Sequence, residues 1–271
     1  MAAEPKIGFI GGGNMAEAII KGLLGGPSGL RPALLVSEPA AARRDHLVAT
    51  YALRCCAGNG ELAAVSDIII LAVKPQTAPA VLNEIGAAVG GEKLLISIMA
   101  GISTATLEGY FPRPVRLVRA MPNTPALVGE GVTAICAGAQ ARSGDLETAA
   151  ALLATIGPVH RVQEGQMDTV TGLSGSGPAY VFTLIEALAD GGVLGGLPRQ
   201  TALDLAVQTV LGSAALVKAT GEHPALLRDK VCSPGGTTIA GMKALEENGF
   251  RNAVLEAVSR AARRAGELGA K

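Results

Sequence analysis

Short β-rich runs alternate with helical patterns along the first part of the chain, and then the β signal stops. Lys6–Ile10, Ala33–Ser37, Ile68–Val73, Leu94–Ile98, Val115–Arg119, Val132–Cys136 and Val159–Val162 read as strands. Ala16–Leu24, Ala40–Tyr51, Thr77–Val89, Ile102–Phe111 and Asp145–Ile156 read as helices between them. Such alternation restricts the fold to a mainly parallel sheet with helices on both faces. Ile68–Val73 is apolar without interruption, as a strand buried on both sides requires. From residue 163 onward every pattern is helical: Pro178–Leu194, Pro198–Ala219, Pro224–Val231, Thr237–Asn248 and Arg251–Leu268. Pro178, Pro198 and Pro224 stand at first-turn positions, and Gly221, Gly249 and Gly269 lie just past helix ends. The expected organisation is an α/β domain over 1–162 and an all-α domain over 163–271.

The helix Pro198–Ala219 is apolar around much of its circumference, with Leu203, Leu205, Val207, Val210, Leu211 and Leu216 among its residues. A helix of that kind is buried on more than one side. The helical domain is small, so burial in a subunit interface is the preferred reading; a plain intramolecular core is the alternative.

Composition narrows the function. Lys plus Arg and Asp plus Glu number 23 each, so there is no basic excess of the kind that nucleic-acid binding needs. No apolar run reaches the length of a membrane span. Met1–Lys6 leads straight into a strand, which leaves no room for a secretory signal. Cys55, Cys56, Cys136 and Cys232 have neither disulfide-framework nor zinc spacing, and His46, His160 and His223 share no motif. Reduced thiols, a cytoplasmic protein and no metal site are expected.

The first strand ends in Gly11-Gly12-Gly13-Asn14-Met15-Ala16 and runs into a helix, matching G-x-G-x-x-G/A in its required context. Gly11 allows the tight turn, Gly13 lets backbone approach a pyrophosphate, and Ala16 permits close helix–strand packing. Phe9, Ile10, Gly12, Asn14 and Met15 complete this segment. The first domain is therefore expected to be a Rossmann-type dinucleotide-binding domain. Glu38, at the end of the second strand, can accept hydrogen bonds from the adenosine ribose. It should also repel a 2′-phosphate, whereas Arg43 and Arg44 should attract one; the acid favours NADH, with NADPH as the alternative. Ala72-Val73-Lys74-Pro75 and Ile98-Met99-Ala100 close later strands, where open α/β sheets bind ligands. Asn59, read as a loop residue, could touch the adenosine half, and Asn123 in Met121–Pro125 could bond the nicotinamide amide.

Two further segments set glycines and hydroxyls before apolar helices: Leu173–Tyr180 and Ser233–Thr238. Neither holds an acid, base or thiolate at its centre, so any chemistry there must come from a cofactor. Gly235, Gly236, Thr237 and Thr238 would present N–H groups to an anion at a helix N-terminus. Ser174 and Ser176 read either as caps or as substrate contacts.

Together these segments make the chain resemble pyrroline-5-carboxylate reductase. The matching stretches are GFIGGGNMAEAI from Gly8, LAVKPQ from Leu71, MPNTP from Met121, TGLSGSGPAY from Thr171, DGGVLGGLPR from Asp190, CSPGGTTI from Cys232 and ALEENGFR from Ala244. The resemblance implies reduction of a cyclic imine carboxylate by NAD(P)H, with Thr238 as the active-site threonine and Ser176, Gly235, Gly236 and Thr237 around the substrate. It also implies helical domains that interlock between subunits, an active site shared across the dimer, and dimers that assemble into decamers. Two rivals stand beside it. β-Hydroxyacid dehydrogenases employ a lysine in the second domain, and Pro178–Leu194 and Pro198–Leu216 contain none. A dinucleotide-binding sensor would not need the second glycine and hydroxyl segment.

Overall fold

The computed structural model describes residues 5–25 and 33–269. The reading of the first four residues as free of a secretory signal lies outside them. An eight-stranded sheet forms from β1 (Lys6–Ile10), β2 (Ala33–Ser37), β3 (Arg54–Cys55), β4 (Ile68–Leu71), β5 (Leu94–Ser97), β6 (Arg116–Met121), β7 (Thr133–Ala137) and β8 (Val159–Arg161). Its order is β3-β2-β1-β4-β5-β6-β7-β8, parallel throughout except where β6 meets β7. The order reverses direction between β1 and β4, which creates the crevice where open sheets of this kind bind ligands.

Helices on both faces close the sheet: α1 (Asn14–Gly25), α2 (Ala41–Tyr51), α3 (Asn59–Val65), α4 (Ala78–Ile85), α5 (Thr104–Glu108), α6 (Ser143–Leu153) and α7 (Met167–Val170). Alternation along the central strands feeds two separate cores. Ile7, Phe9, Ile68 and Ile70 pack on one face, and Ile10, Ile69 and Leu71 on the other. The uninterrupted apolar run of β4 has this double burial as its cause.

Several elements differ from expectation. β3 and α3 are additional: two strand residues and a seven-residue helix are too short to show a period. The helix expected over Thr77–Val89 begins as a 3₁₀ turn at Pro75–Thr77 and ends at Ile85. The helix expected over Ile102–Phe111 contracts to Thr104–Glu108, because Ser103 caps it by accepting from Thr106 N–H at 3.1 Å.

The remaining helices are α8 (Gly177–Leu194), α9 (Arg199–Thr220), α10 (Pro224–Val231), α11 (Thr237–Glu247) and α12 (Phe250–Gly269). The chain divides into two compact units: residues up to Ser176 together with those from Arg260 onward, and Gly177–Ser259. The compact units part at Ser176/Gly177, later in the chain than the change of pattern at 162/163. Helical pattern alone does not decide domain membership. Residues 164–176 are helical but pack on the sheet, with Met167 fully buried beside Ala134 and Cys136 of β7.

The second unit has little core of its own. Its core cluster is Ala189, Ala202 and Ala206, where α8 and α9 pack closely. Gly192 allows that approach, since a Cβ there would lie 3.0 Å from Ala202 Cβ. Phe182, Leu205, Leu211, Leu216 and Leu255 all lie exposed in the single chain. Among the described residues α9 is long and apolar enough to cross a membrane by length and composition, which the sequence reading did not expect.

Candidate active site

The turn after β1 is built to receive a phosphate. Gly11 adopts φ +92°, and a Cβ there would sit 2.8 Å from Ala72 O, so only glycine fits. Its N–H donates to Ser37 C=O at 2.9 Å. Gly12 N–H donates to Glu38 Oε2 at 2.8 Å, and Ala40 N–H to Glu38 Oε1 at 2.9 Å. Arg43 Nε–H donates to Gly12 C=O. The Gly12 peptide is thus held from both sides. Gly13 is the opposite case: a Cβ would meet nothing within 4 Å. Among the described residues no protein acceptor takes the N–H groups of Gly13, Asn14 or Met15. Ala16 is fully buried against the sheet. An open glycine face with unpaired N–H groups at the start of α1 fits a dinucleotide pyrophosphate.

Arg43 has a further partner within the protein. It pairs with Glu17 of α1, whose carboxylate also meets His46 and, at 2.9 Å, the Tyr51 hydroxyl. Burial alone would raise the Glu17 pKa, but hydrogen bonds from His46, Arg43 and Tyr51 outweigh it and hold the group at about 2. The cluster locks α2 to α1 behind the glycine turn.

Beyond β2 lies a pocket of about 600 Å³, lined by Glu38, Arg44, Asn59 and Glu84 among others. Asn59 is not a loop residue; it is the first residue of α3. Its Oδ1 accepts from the Ser37 hydroxyl at 2.8 Å and its Nδ2 donates to Glu84 Oε2 at 2.7 Å. The remaining expected cofactor residues rim the same C-terminal edge of the sheet. Phe9 and Ile10 are sealed inside it and Met99 is 2% exposed, so these three offer only backbone. Ala72, Val73, Pro75 and Ile98 are half-buried, while Lys74 and Ala100 are exposed. Lys74 C=O accepts from Thr77 N–H at 3.0 Å and from its hydroxyl at 2.9 Å, starting the 3₁₀ turn.

Asn123 staples two segments together. Its Nδ2 donates to Ser174 C=O at 3.1 Å, and its Oδ1 accepts from Val132 N–H at 2.9 Å. Ser174 and Ser176 do not cap a helix. Ser174 lies in a π-helical turn over Thr171–Gly175, and Ser176 ends it, its N–H donating to Thr171 C=O at 2.9 Å. Ser176 has helical φ and ψ, and Ser174 Oγ donates back to Val170 C=O at 3.0 Å. Single π turns recur at functional sites. Gly175 lets this turn lie against Met121, whose Cε would be 2.6 Å from an added Cβ.

The sequence reading missed a buried ionic cluster under this turn. Arg119, in the interior of β6 and 3% exposed, pairs with Glu164. The Cys136 thiol donates to the other Glu164 oxygen at 3.1 Å. Burial, reinforced by the Glu164 carboxylate, pushes the Cys136 pKa up to about 12. Its thiol is therefore protonated and unreactive at neutral pH. Removing one partner would strand a buried charge, so the cluster anchors residues 164–176 to the sheet. The signal was present: an arginine among the apolar interior residues of a strand, Leu117, Val118 and Ala120.

In the second unit, Ser233–Gly236 forms a β-turn with Pro234 at its second position and Gly235 at φ +67°. Gly236 N–H donates to Ser233 C=O at 3.0 Å, the pattern of a type II turn. The turn delivers Gly236 as N-cap of α11 without a side-chain cap. Among the described residues no hydrogen bond occupies the Thr237 or Thr238 hydroxyl; Thr237 is exposed and Thr238 half-buried. An uncapped helix N-terminus with two adjacent hydroxyls suits a carboxylate. Among the described residues, no group of three or more His, Cys, Asp or Glu could hold a metal ion.

Comparison with known proteins accounts for both units. Residues 164–268 match the model for pyrroline-5-carboxylate reductase dimerisation, which covers the apolar α9. Residues 6–101 match the model for NADP oxidoreductase, coenzyme F420-dependent. The chain is 52% identical over 266 residues to pyrroline-5-carboxylate reductase of Synechocystis, covering 98% of this chain and 99% of that one. A solved pyrroline-5-carboxylate reductase from Coxiella burnetii superposes with a TM-score of 0.91 at 35% identity, covering 98% and 99% of the two chains. The Plasmodium falciparum pyrroline carboxylate reductase, solved with NADP bound, gives 0.88 at 36% identity over 98% of each chain. With the glycine turn and the paired glycine–hydroxyl segments in place, the chain belongs to the pyrroline-5-carboxylate reductases, which reduce 1-pyrroline-5-carboxylate to L-proline with NAD(P)H in the last step of proline synthesis.

Proposed function

We propose that Gly235, Gly236, Thr237 and Thr238 bind the substrate carboxylate and that the Thr238 hydroxyl positions the imine nitrogen. The uncapped N-terminus of α11 carries this reading. Among the described residues its first N–H groups have no protein acceptor, and the helix dipole favours an anion there. Charge-assisted hydrogen bonds of this kind contribute about 1.5–3 kcal/mol each. NAD(P)H supplies the hydride. A protonated imine is already electrophilic, so the residues orient the substrate and need no acid–base pair. Ser176 contacts the substrate, and the second N–H of Asn123 Nδ2 is available to the nicotinamide amide.

The glycine turn, the edge segments Ala72–Pro75 and Ile98–Ala100, and Asn59 hold the cofactor. NADH is the preferred form, because Glu38 lines the pocket beyond β2 and its oxygens keep lone pairs for ribose hydroxyls. The exposed apolar surface of the helical unit supports self-association, and assembly of dimers into a decamer in the cytoplasm is part of the same proposal.

Thr238→Ala is expected to lower kcat/KM for pyrroline-5-carboxylate by about 10-fold or more, with cofactor Kd unchanged. Unchanged kinetics would remove Thr238 from the mechanism. Glu38→Ser is expected to raise use of NADPH relative to NADH in steady-state assays. Because Glu38 also holds Gly12, affinity for both cofactors should fall as well. A constant ratio of the two kcat/KM values sinks the reading of Glu38 as a selector.

A further inference from the structure

We infer that Glu84 is a second selector against a 2′-phosphorylated nucleotide, acting from the wall of the pocket formed by α4. This rests on reading the pocket beyond β2 as the adenosine site. Glu84 lies far from the glycine fingerprint in sequence and belongs to no motif. α4 brings it to the pocket that Glu38 and Asn59 also line. Its Oε2 accepts from Asn59 Nδ2 at 2.7 Å and its Oε1 from Gly60 N–H at 3.4 Å. A carboxylate can only accept, so Asn59 must turn its nitrogen toward Glu84 and its oxygen toward the Ser37 hydroxyl. One acid therefore sets the orientation of the amide and the sign of the local field.

The charge balance points the same way. Among the described residues lining the pocket, Arg44 is the one cation, against Glu38 and Glu84. Arg44 is itself 3.7 Å from Asp45. Glu61, next to the pocket, accepts from Ala57 N–H at 2.8 Å and is paired with Arg54 at 3.5 Å, so it adds little to the balance. Arg43 is committed to Glu17 and Gly12. A 2′-phosphate would add about two negative charges to a site whose single lining guanidinium is shared. Glu84 is exposed, so its contribution is screened by salt.

The test separates charge from structure. Glu84→Gln keeps a side-chain oxygen for Asn59 Nδ2 and removes the charge. Calorimetric titration of the full-length protein compares AMP with adenosine 2′,5′-bisphosphate, each checked for displacement by NADH. At low salt the variant is expected to bind the bisphosphate about 5- to 10-fold more tightly, with AMP affinity unchanged within about twofold. The gain should shrink toward nothing at about 0.5 M salt. Equal change for both nucleotides, a salt-insensitive change or no change overturns the inference while leaving the pocket assignment intact. Nucleotides that bind without competing with NADH overturn the pocket assignment itself, and the inference with it.

Discussion

A chain carrying Leu205→Glu and Leu211→Glu is expected to sediment as a monomer and to lose more than about 100-fold in kcat/KM. Both leucines are over half exposed in the single chain, at 55% and 59%. Carboxylates at these positions cost the isolated chain little, because they remain in water. In a dimer built on this unit they would be desolvated without a cation, at several kcal/mol each. The unit cannot compensate internally. Three buried alanines, with Ile185 and Val193 packed against them, are its core, and many of its large apolar side chains are exposed. Helical signal in circular dichroism should fall as well, since α9 then has no partner to bury its leucines. A variant that remains dimeric and active would show that α9 lies outside the interface.

The sequence was most legible where burial imposes a period. Strands β1, β2, β4 and β5 were readable because alternate residues enter two cores and both faces are apolar. The glycine turn was readable because backbone conformation, not side-chain packing, selects Gly11. Features fixed by tertiary contact were not. At the π turn over Thr171–Gly175, Gly175 rests against Met121, a contact that local propensity does not reveal; the sequence left Ser174 and Ser176 as either caps or substrate contacts. The Arg119–Glu164–Cys136 cluster joins residues distant in the chain and has no spacing rule. Residues 164–176 carry a helical pattern yet belong to the sheet, because Met167 and Glu164 bind them there. The roles of Arg43 and Arg44 also separate only in three dimensions: one is neutralised by Glu17 and the other lines a pocket.

Gly13→Thr is expected to leave the fold intact and to weaken NADH binding about 100-fold, which is ~2.7 kcal/mol. Gly13 immediately precedes α1, and its C=O accepts from Glu17 N–H at 3.0 Å, so it occupies the N-cap position. Threonine and glycine are nearly equivalent N-caps, so the helix end should tolerate the change. The position lacks the positive φ of Gly11, and an added Cβ meets nothing within 4 Å. The melting temperature of the cofactor-free protein should therefore move by no more than about 2 °C. The open space is the space a pyrophosphate needs, and threonine fills it with two further heavy atoms. Gly11→Ala supplies the contrast: its φ of +92° and the 2.8 Å approach to Ala72 O should cost stability as well as binding. If Gly13→Thr binds NADH within about twofold of the parent, the phosphates do not approach at Gly13. The pyrophosphate would then have to be sought elsewhere along the sheet edge.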